Sequence, residues 1–332
     1  MLTNSRSIQA PSSTAAASNA MPEIAVIVPV YNGRPMLREL CSRLARSLNG
    51  ITQDFVIVLV DDAAPDNPWP LIREISQEEH RIKAIRLSRN FGQHYALTAG
   101  IDMARAHWYV FMDCDLQDAP EDIPLLYAKA REGHDVVAGL RKKEGHGEIK
   151  RHSSRLFYTL FRLLSGVQLD WSTGNFRIFS NAVADGFRSM REQLRFVPAS
   201  FEWMGFDTAY VELPHYPRAE GQSSYTVSKL VRLATNTIIA HSHIPLNIVA
   251  FLGFAMSAIT FIIALIYFSR AFILGTKVAG WTSLFVTLLF VSSFQIALMG
   301  VLGIYIGKTF DEAKRRPLYI VRETVNFDDR YV

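Results

Sequence analysis

The chain has 332 residues, with 35 Lys and Arg against 31 Asp and Glu and a formal net charge of +4 at pH 7. So small an excess of positive charge, without an interleaved basic and aromatic motif, indicates no nucleic-acid partner. The two cysteines, Cys41 and Cys114, lie far apart and form no CxxC pair, so the sequence predicts neither a disulfide framework nor a zinc site.

The first part of the chain alternates between strand-like and helix-like segments. Residues 1–21 are rich in Ser, Ala and Asn without the apolar core of a secretory signal, and we expect a disordered leader there. Strands are predicted at residues 24–30, 55–60, 82–87, 108–112 and 136–139. Helices are predicted at residues 35–48, 69–79, 95–106 and 123–132. This alternation predicts an α/β domain with a mostly parallel sheet.

A basic segment follows the last predicted strand. Residues 141–155 carry several Lys and Arg together with Gly145 and Gly147. Two interpretations stay open, a solvated loop or a mobile lid that meets phosphates.

Two apolar stretches near the C-terminus, residues 248–268 and 284–306, predict two membrane spans. At about 1.5 Å per residue each covers the roughly 30 Å hydrocarbon layer. Basic residues are denser outside the pair of spans than in the short loop between them, so the positive-inside rule predicts that both flanks are cytoplasmic. Within the second span, Gly300, Gly303 and Gly307 suggest a close helix–helix face. Gln295 is expected to point inward, away from lipid.

The expected protein is thus integral to the inner (plasma) membrane. A segment just before the first span, residues 224–243, has the pattern of an amphipathic helix on the membrane surface. The expected division is a leader at 1–21, a cytoplasmic α/β domain at 22–223, a juxtamembrane helix at 224–246, a two-helix transmembrane region at 247–307 and a cytoplasmic tail at 308–332.

Asp113 and Asp115 follow the fourth predicted strand directly. Residues two apart on a strand point the same way, and open α/β sheets bind ligands at the carboxyl edge of their strands. Two carboxylates on one side suit Mg²⁺ or Mn²⁺, which would carry a diphosphate. A D-x-D pair can also be a solvated turn, but the apolar lead-in favours a metal–diphosphate site. Polar residues at the ends of other strands, Tyr31-Asn32 and Asp61-Asp62, are expected at the same edge.

With these motifs the chain resembles the family 2 glycosyltransferases, in particular the polyprenyl-phosphate branch that includes dolichol-phosphate mannose synthase, bacterial polyprenyl-phosphate glucosyltransferases and undecaprenyl-phosphate formamido-arabinose transferase. The resemblance covers about residues 23–322. The matching stretches are Pro29-Val30-Tyr31-Asn32, Val60-Asp61-Asp62, Arg89-Asn90-Phe91-Gly92-Gln93-His94, Asp113-Cys114-Asp115-Leu116-Gln117-Asp118, Phe176-Arg177, Glu220-Gly221-Gln222-Ser223 with Tyr225, Gly303-Ile304-Tyr305-Ile306-Gly307 and Arg316-Pro317-Leu318-Tyr319.

The resemblance implies a Rossmann-like nucleotide-diphospho-sugar transferase domain of GT-A type, followed by amphipathic interface helices and two transmembrane helices. It implies transfer of a sugar from a UDP- or GDP-linked donor to a polyprenyl phosphate, expected to be undecaprenyl phosphate, with inversion and in a homo-oligomer. The implied nucleotide-sugar site consists of Pro29, Tyr31, Asn32, Asp61, Asp62, Asn90, Asp113 and Gln117. Asp113, Asp115 and Gln117 would hold the metal, Mg²⁺ or Mn²⁺, and Asp115, Asn175 and Arg177 form the implied catalytic set. The implied acceptor site consists of Arg218, Ser223, Tyr225, Lys229 and Arg232.

Three positions depart from the family pattern, namely Gly33 in place of Glu, Asn175 in place of Asp, and Ser224 in place of Lys. Asn175 matters most, because the missing Asp is the family's candidate base. A phosphate monoester has a second pKa near about 6 and is largely dianionic at pH 7, so a phosphate acceptor needs no base, whereas a sugar hydroxyl would need one. If a base is needed, Glu202 and Asp170 are the remaining candidates.

Two alternatives remain at this point. One is a transferase that acts on the hydroxyl of a glycan or lipid-linked sugar. The other is a non-catalytic membrane subunit that binds a nucleotide sugar, against which the intact Asp113/Asp115 pair argues.

Overall fold

The computed structural model describes residues 21–141, 173–214, 244–274 and 280–327. In these ranges the strands are β1 (Ile24–Val30), β2 (Phe55–Asp61), β3 (Ile82–Leu87), β4 (Trp108–Phe111), β5 (Val136–Arg141), β6 (Thr173–Ser180), β7 (Thr208–Leu213) and β8 (Val321–Val325). The helices are α1 (Leu37–Asn49), α2 (Trp69–Glu78), α3 (Gln93–Met103), α4 (Ile123–Ala130), α5 (Asn181–Ser189), α6 (Val197–Met204), α7 (Ile244–Leu274) and α8 (Trp281–Ala313).

The described strands form one sheet in the order β7-β5-β6-β4-β1-β2-β3-β8. β1 pairs in parallel with both β2 and β4, and β2 pairs in parallel with β3. β6 runs antiparallel between β4 and β5, and β8 runs antiparallel along β3. The predicted α/β fold is therefore confirmed, and all five predicted strands are present. The described sheet is mixed and not mostly parallel, because β5 pairs in parallel with β7 but β6 and β8 both run antiparallel to their neighbours.

The sheet separates two apolar cores. One core lies under α1, α2 and α4, and the other lies under α3, α5 and α6. β1 is buried along its whole length because helices cover both faces, which explains why its sequence is a continuous apolar run. α1 shows the matching helical pattern, since its buried residues Leu37, Leu40, Cys41, Leu44 and Leu48 recur every three or four positions.

The C-terminal part of the chain differs from the expected tail. α8 continues to Ala313, and the chain then returns to the sheet, where β8 pairs with β3. β8 has the short sequence Val-Arg-Glu-Thr-Val, and its partner strand lies more than two hundred residues earlier in the chain. The local sequence therefore did not predict this strand.

Two long apolar helices, α7 and α8, occupy the region of the two predicted spans. Among the described residues one helical stretch, Phe290–Ala313, is long and apolar enough to cross a membrane, and Leu246–Met256 is a shorter apolar segment. The prediction of two spans therefore remains a proposal.

The contact between α7 and α8 does not involve the glycine face. A Cβ added at Gly253 of α7 would lie 3.6 Å from Leu298, whereas one added at Gly300, Gly303 or Gly307 would meet none of the described atoms within 4 Å. The prediction that Gln295 points inward is wrong for the single chain, because Gln295 is exposed. α8 packs against α7 on one side, and much of its remaining described surface has no contact with protein.

Candidate active site

The site lies where the order of the strands reverses. β2 and β3 continue the sheet on one side of β1, whereas β4 lies on its other side. Loops at the carboxyl ends of strands around such a switch point form the ligand crevice of open α/β sheets. Here these loops are residues 31–33 after β1 and residues 113–115 after β4.

The two loops are in direct contact. A Cβ added at Gly33 would lie 2.5 Å from Sγ of Cys114 and 3.3 Å from its Cβ. Gly33 has φ −112°, a value that other residues also adopt. Glycine is favoured at this position because a larger side chain would clash with Cys114. Burial raises the pKa of the Cys114 thiol to about 11, so this residue packs as a neutral thiol and is not a nucleophile. Glycine in place of the family's glutamate at position 33 thus leaves room for the side chain of Cys114.

Asp113 and Asp115 are both partly exposed, whereas Cys114 and Leu116 are buried. This alternation agrees with the prediction that the two carboxylates emerge on one side. Asp113 Oδ1 accepts a 2.6 Å hydrogen bond from Nε2 of Gln93 at the start of α3. Asp115 Oδ1 accepts from the backbone N–H of Gln117 at 3.2 Å. The first carboxylate is thereby oriented from a neighbouring helix and the second by its own turn.

Backbone strain collects in the same loops. Asn32, Ala63 and Leu116, which follow β1, β2 and β4, have φ values of 55°, 50° and 57°. Residues other than glycine pay of order 1–3 kcal/mol for this left-handed region, and such residues persist at functional sites because the surrounding structure holds them.

The carboxylates suit a divalent cation that is shared with a phosphate ligand. In the described ranges no three or more His, Cys, Asp and Glu side chains come together as a complete metal cage. Mg²⁺ is commonly held by one or two carboxylates together with substrate phosphates and water, and the oxygen donors of Asp113 and Asp115 fit that pattern. Gln117 is also partly exposed there, and its side-chain oxygen is the third predicted donor.

Asp62 holds a loop in place. Its Oδ1 accepts from the N–H of Phe91 at 2.7 Å and its Oδ2 from the N–H of Gly92 at 2.8 Å. Burial raises the pKa of Asp62, and these two backbone hydrogen bonds oppose that shift. Both oxygens therefore fasten the 89–92 loop, and the predicted contact of Asp62 with a nucleotide remains a proposal.

Asp61 is buried, with 1% of its surface exposed. Its Oδ1 accepts from the N–H of Ala64 at 3.0 Å, and its Oδ2 lies 3.6 Å from Nε of Arg86. Burial raises the pKa of the carboxyl, whereas the Ala64 hydrogen bond and the Arg86 charge lower it. Asp61 thus stabilises the turn after β2 through its hydrogen bond with Ala64.

The remaining predicted nucleotide residues differ in accessibility. Tyr31 is 49% exposed, and Asn32 and Asn90 are exposed as well, so all three are open to a ligand. Pro29 is buried within β1, where it pairs with Val60 of β2. From this buried position Pro29 supports the loop after β1 and is not itself exposed to a ligand.

Arg177 lies on β6 beside the end of β4, opposite Phe111. The side chain is 5% exposed, its guanidinium lies 4.8 Å from the centre of the Phe201 ring, and one NH₂ group donates to the Gly174 carbonyl at 2.9 Å. Its Nε is buried and has no hydrogen-bond partner among the residues that the structure describes. Burial lowers the pKa of Arg177 to about 10, so the residue remains cationic at neutral pH.

Asn175 precedes Arg177 by two positions on β6, in the part of the strand where the pairing with β5 shifts register. Glu202, a candidate base, is exposed on α6, and its charge acts on Arg177.

The predicted acceptor residues lie outside the described ranges, as do Asp170 and most of the basic 141–155 segment. The acceptor residues concerned are Arg218, Ser223, Tyr225, Lys229 and Arg232.

Sequence reasoning missed two contributors. Gln93 was part of a matching motif but received no role, although it donates to Asp113. Arg86 reads as an ordinary exposed position in a strand, and its pairing with Asp61 becomes visible only through the register of β2 and β3.

Comparison with known proteins identifies the family. Residues 25–194 match the sequence profile of glycosyl transferase family 2. An uncharacterized glycosyltransferase of Bacillus subtilis, YkcC, is 33% identical over 93% of this chain and 96% of its own length.

Two further relatives have more specific names. Undecaprenyl-phosphate 4-deoxy-4-formamido-L-arabinose transferase of Proteus mirabilis is 29% identical over 91% of this chain and 94% of its own. The prophage bactoprenol glucosyl transferase homolog of Escherichia coli is 31% identical over 90% of this chain and 98% of its own. Among solved structures, glucosyl-3-phosphoglycerate synthase from Mycobacterium tuberculosis with Mn²⁺, UDP and phosphoglyceric acid has a TM-score of 0.45 and 16% identity over 66% of this chain and 77% of its own.

The profile match and the relatives of nearly equal length indicate the same family. The chain therefore belongs to glycosyl transferase family 2 and is a glycosyltransferase.

Proposed function

We propose that this glycosyltransferase moves a sugar from a UDP- or GDP-linked donor to a polyprenyl phosphate, with undecaprenyl phosphate as the expected acceptor. The observation that carries the proposal is the Asp113/Asp115 pair at the switch point of the sheet, in contact through Cys114 with the loop after β1. Relatives named for undecaprenyl phosphate and bactoprenol, aligned over almost their whole lengths, support the choice of acceptor.

On the donor side, exposed Tyr31 offers a ring and Asn32 an amide to the nucleotide. Asp113 and Asp115 would hold Mg²⁺ or Mn²⁺, which would supply positive charge to the departing diphosphate. Gln93 donates to Oδ1 of Asp113 and thereby fixes the orientation of that carboxylate.

On the acceptor side, Asn175 stands where a base would otherwise be expected. A phosphate dianion is already a nucleophile and needs no deprotonation. Arg177 holds this phosphate by charge-assisted hydrogen bonds. Direct attack of a phosphate oxygen on the anomeric carbon from the side opposite the leaving diphosphate inverts that centre, and the nucleoside diphosphate leaves.

We also propose that both α7 and α8 span the membrane, with the α/β domain and β8 on the cytoplasmic side. The return of the chain from α8 to the sheet supports this arrangement, because β8 and β3 must be on the same side. Cysteine substitutions at Lys277 and Lys314, labelled in sealed cells, should report opposite sides. Labelling of both from the same side would contradict two spans.

The test is a transfer assay with the full-length protein in detergent. A panel of UDP- and GDP-linked sugars is offered with undecaprenyl phosphate and Mn²⁺, and the lipid product is identified by mass spectrometry. One donor should give a glycosyl-phosphate-linked lipid, and the product should carry the inverted anomeric configuration. Absence of a lipid product with every donor in the panel would contradict the polyprenyl-phosphate acceptor.

A further inference from the structure

An alternating row of charges crosses three neighbouring strands at the edge of the sheet. The register pairs Asp61 of β2 with Arg86 of β3, and Arg86 with Glu323 of β8. Arg86 NH1 donates to Glu323 Oε1 at 3.0 Å, and Arg86 Nε lies 3.6 Å from Asp61 Oδ2. The strand that follows the hydrophobic helix α8 is thereby linked to the loop after β2.

Glu323 uses both of its carboxylate oxygens. While Oε1 accepts from Arg86, Oε2 accepts from the indole N–H of Trp69 at 2.9 Å. The Arg86 guanidinium also lies 5.7 Å from the centre of the Trp69 ring. The side chain of Arg86 is 24% exposed, so without Glu323 it is free to turn from the buried Asp61 toward solvent.

Two anchors hold β8 in register on either side of Glu323. Before the strand, the Tyr319 hydroxyl donates to Asp102 at 2.8 Å. After it, Nδ2 of Asn326 donates to the carbonyls of Ser76 and Ile82 at 2.6 and 2.8 Å. The position of Glu323 is therefore determined by the fold, although the residue lies on an edge strand.

We propose that Glu323 is a positioning residue for the nucleotide site, acting through Arg86 and Asp61 on the loop after β2. Asp61 must keep its orientation so that Oδ1 accepts from the Ala64 N–H beside the left-handed turn at Ala63. Arg86 supplies the opposing charge, and Glu323 keeps Arg86 in place. The segment beyond α8 thus completes the donor side of the site. This inference rests on the proposed function, since it assumes that this loop lines the nucleotide pocket.

The experiment compares Glu323→Gln with the wild type in the full-length protein. Glutamine keeps the size of the side chain and one acceptor oxygen, but it removes the negative charge beside Arg86. The KM for the nucleotide sugar, and the Kd of UDP and GDP measured by calorimetry with Mn²⁺, should rise about 3- to 10-fold, the range expected when an ion pair that orients a binding loop is weakened by about 1 kcal/mol. The kcat and the KM for undecaprenyl phosphate should stay within about twofold.

The matched control is Thr324→Val, the next residue on β8, whose side chain points to the opposite face. It should leave donor KM unchanged. Arg86→Gln alone should weaken donor binding at least as much as Glu323→Gln, and the double variant should be no weaker than Arg86→Gln, because Glu323 acts through Arg86. If Glu323→Gln does not fold, Glu323→Asp keeps the charge on a shorter side chain and should show a smaller rise in the same KM.

The inference is overturned if Glu323→Gln binds UDP or GDP as tightly as the wild type, if Thr324→Val weakens binding equally, or if the two single effects simply add. Failure of the proposed function has a different signature, namely that the wild-type protein itself neither binds a nucleoside diphosphate nor transfers a sugar to undecaprenyl phosphate.

Discussion

A methyl group added at Gly33 should disturb the active site through Cys114. In Gly33→Ala the new Cβ would lie 2.5 Å from Sγ and 3.3 Å from Cβ of Cys114, closer than van der Waals contact allows. Because the φ of Gly33 is −112°, alanine fits the backbone, and the whole effect is steric. Cys114 lies between Asp113 and Asp115, so the movement that relieves the clash also moves the two carboxylates.

The size of the effect follows from overpacking of a buried contact, which costs about 1–3 kcal/mol. Each kcal/mol lowers Tm by about 2–4 °C in a domain of this size. Displacement of a positioned catalytic group by about 1 Å costs up to about 10²-fold, and we expect Gly33→Ala to lower kcat about 10- to 100-fold. Thermal unfolding in detergent and steady-state transfer kinetics measure the two effects.

A second substitution separates this clash from a general loss of stability. Cys114→Ala removes Sγ, the closer of the two atoms, and leaves a small space that the Cβ introduced by Gly33→Ala would partly fill. The double variant should therefore be more stable and more active than Gly33→Ala alone, a coupling of about 1–2 kcal/mol. Wild-type Tm and rate in Gly33→Ala, or a double variant no better than the single one, would refute the contact between the two loops.

Three further predictions concern the proposed chemistry and the effect of pH. Asp115→Ala should lose about 10²-fold or more in kcat while its Tm stays near that of the wild type, because one metal ligand and its charge are removed; near-normal turnover in excess EDTA would contradict this. Arg177→Ala should be far less active on undecaprenyl phosphate than Asn175→Ala, since a phosphate dianion needs an orienting cation but no base, and the reverse order would exchange the two roles. Burial and two nearby arginines lower the pKa of His94 from 6.5 to about 4. As the pH falls, His94 therefore becomes protonated in the unfolded chain before it does in the folded protein. The folded protein should lose up to about 1.4 kcal/mol per pH unit as the pH falls from 6.5 toward 4, a slope visible in Tm against pH and reduced in His94→Phe.

The central sheet was predictable because its strands are buried on both faces. β1 and β2 are buried along their whole lengths, and the bounds of β1 are the predicted ones. β3 also has the predicted bounds, although Lys83 and Arg86 interrupt its apolar residues. The Asp113/Asp115 pair was predictable for a related reason, because parallel strands that share one sheet edge bring the residues after them together. α3 instead begins at Gln93, two residues earlier than expected, and Gln93 is the residue that reaches Asp113.

What the sequence did not reveal depends on long-range pairing. β6, which carries Arg177, inserts antiparallel between β4 and β5, and β8 adds the far edge of the sheet. Both pairings join segments far apart in the chain, and neither has a local pattern that distinguishes a strand from a loop. The support of Asp61 by Arg86 and Glu323 follows from those registers, so it became visible only in three dimensions.

The proposed function depends above all on a polyprenyl phosphate as the acceptor. This acceptor is tested by offering the purified protein one active nucleotide sugar with undecaprenyl phosphate or with undecaprenol, and comparing the initial rates of lipid glycosylation from pH 5 to 8. We expect product only from the phosphate, with a rate that rises with ionisation of the acceptor near about pH 6 and then levels off. Equal transfer to the prenol alcohol would contradict a phosphate acceptor.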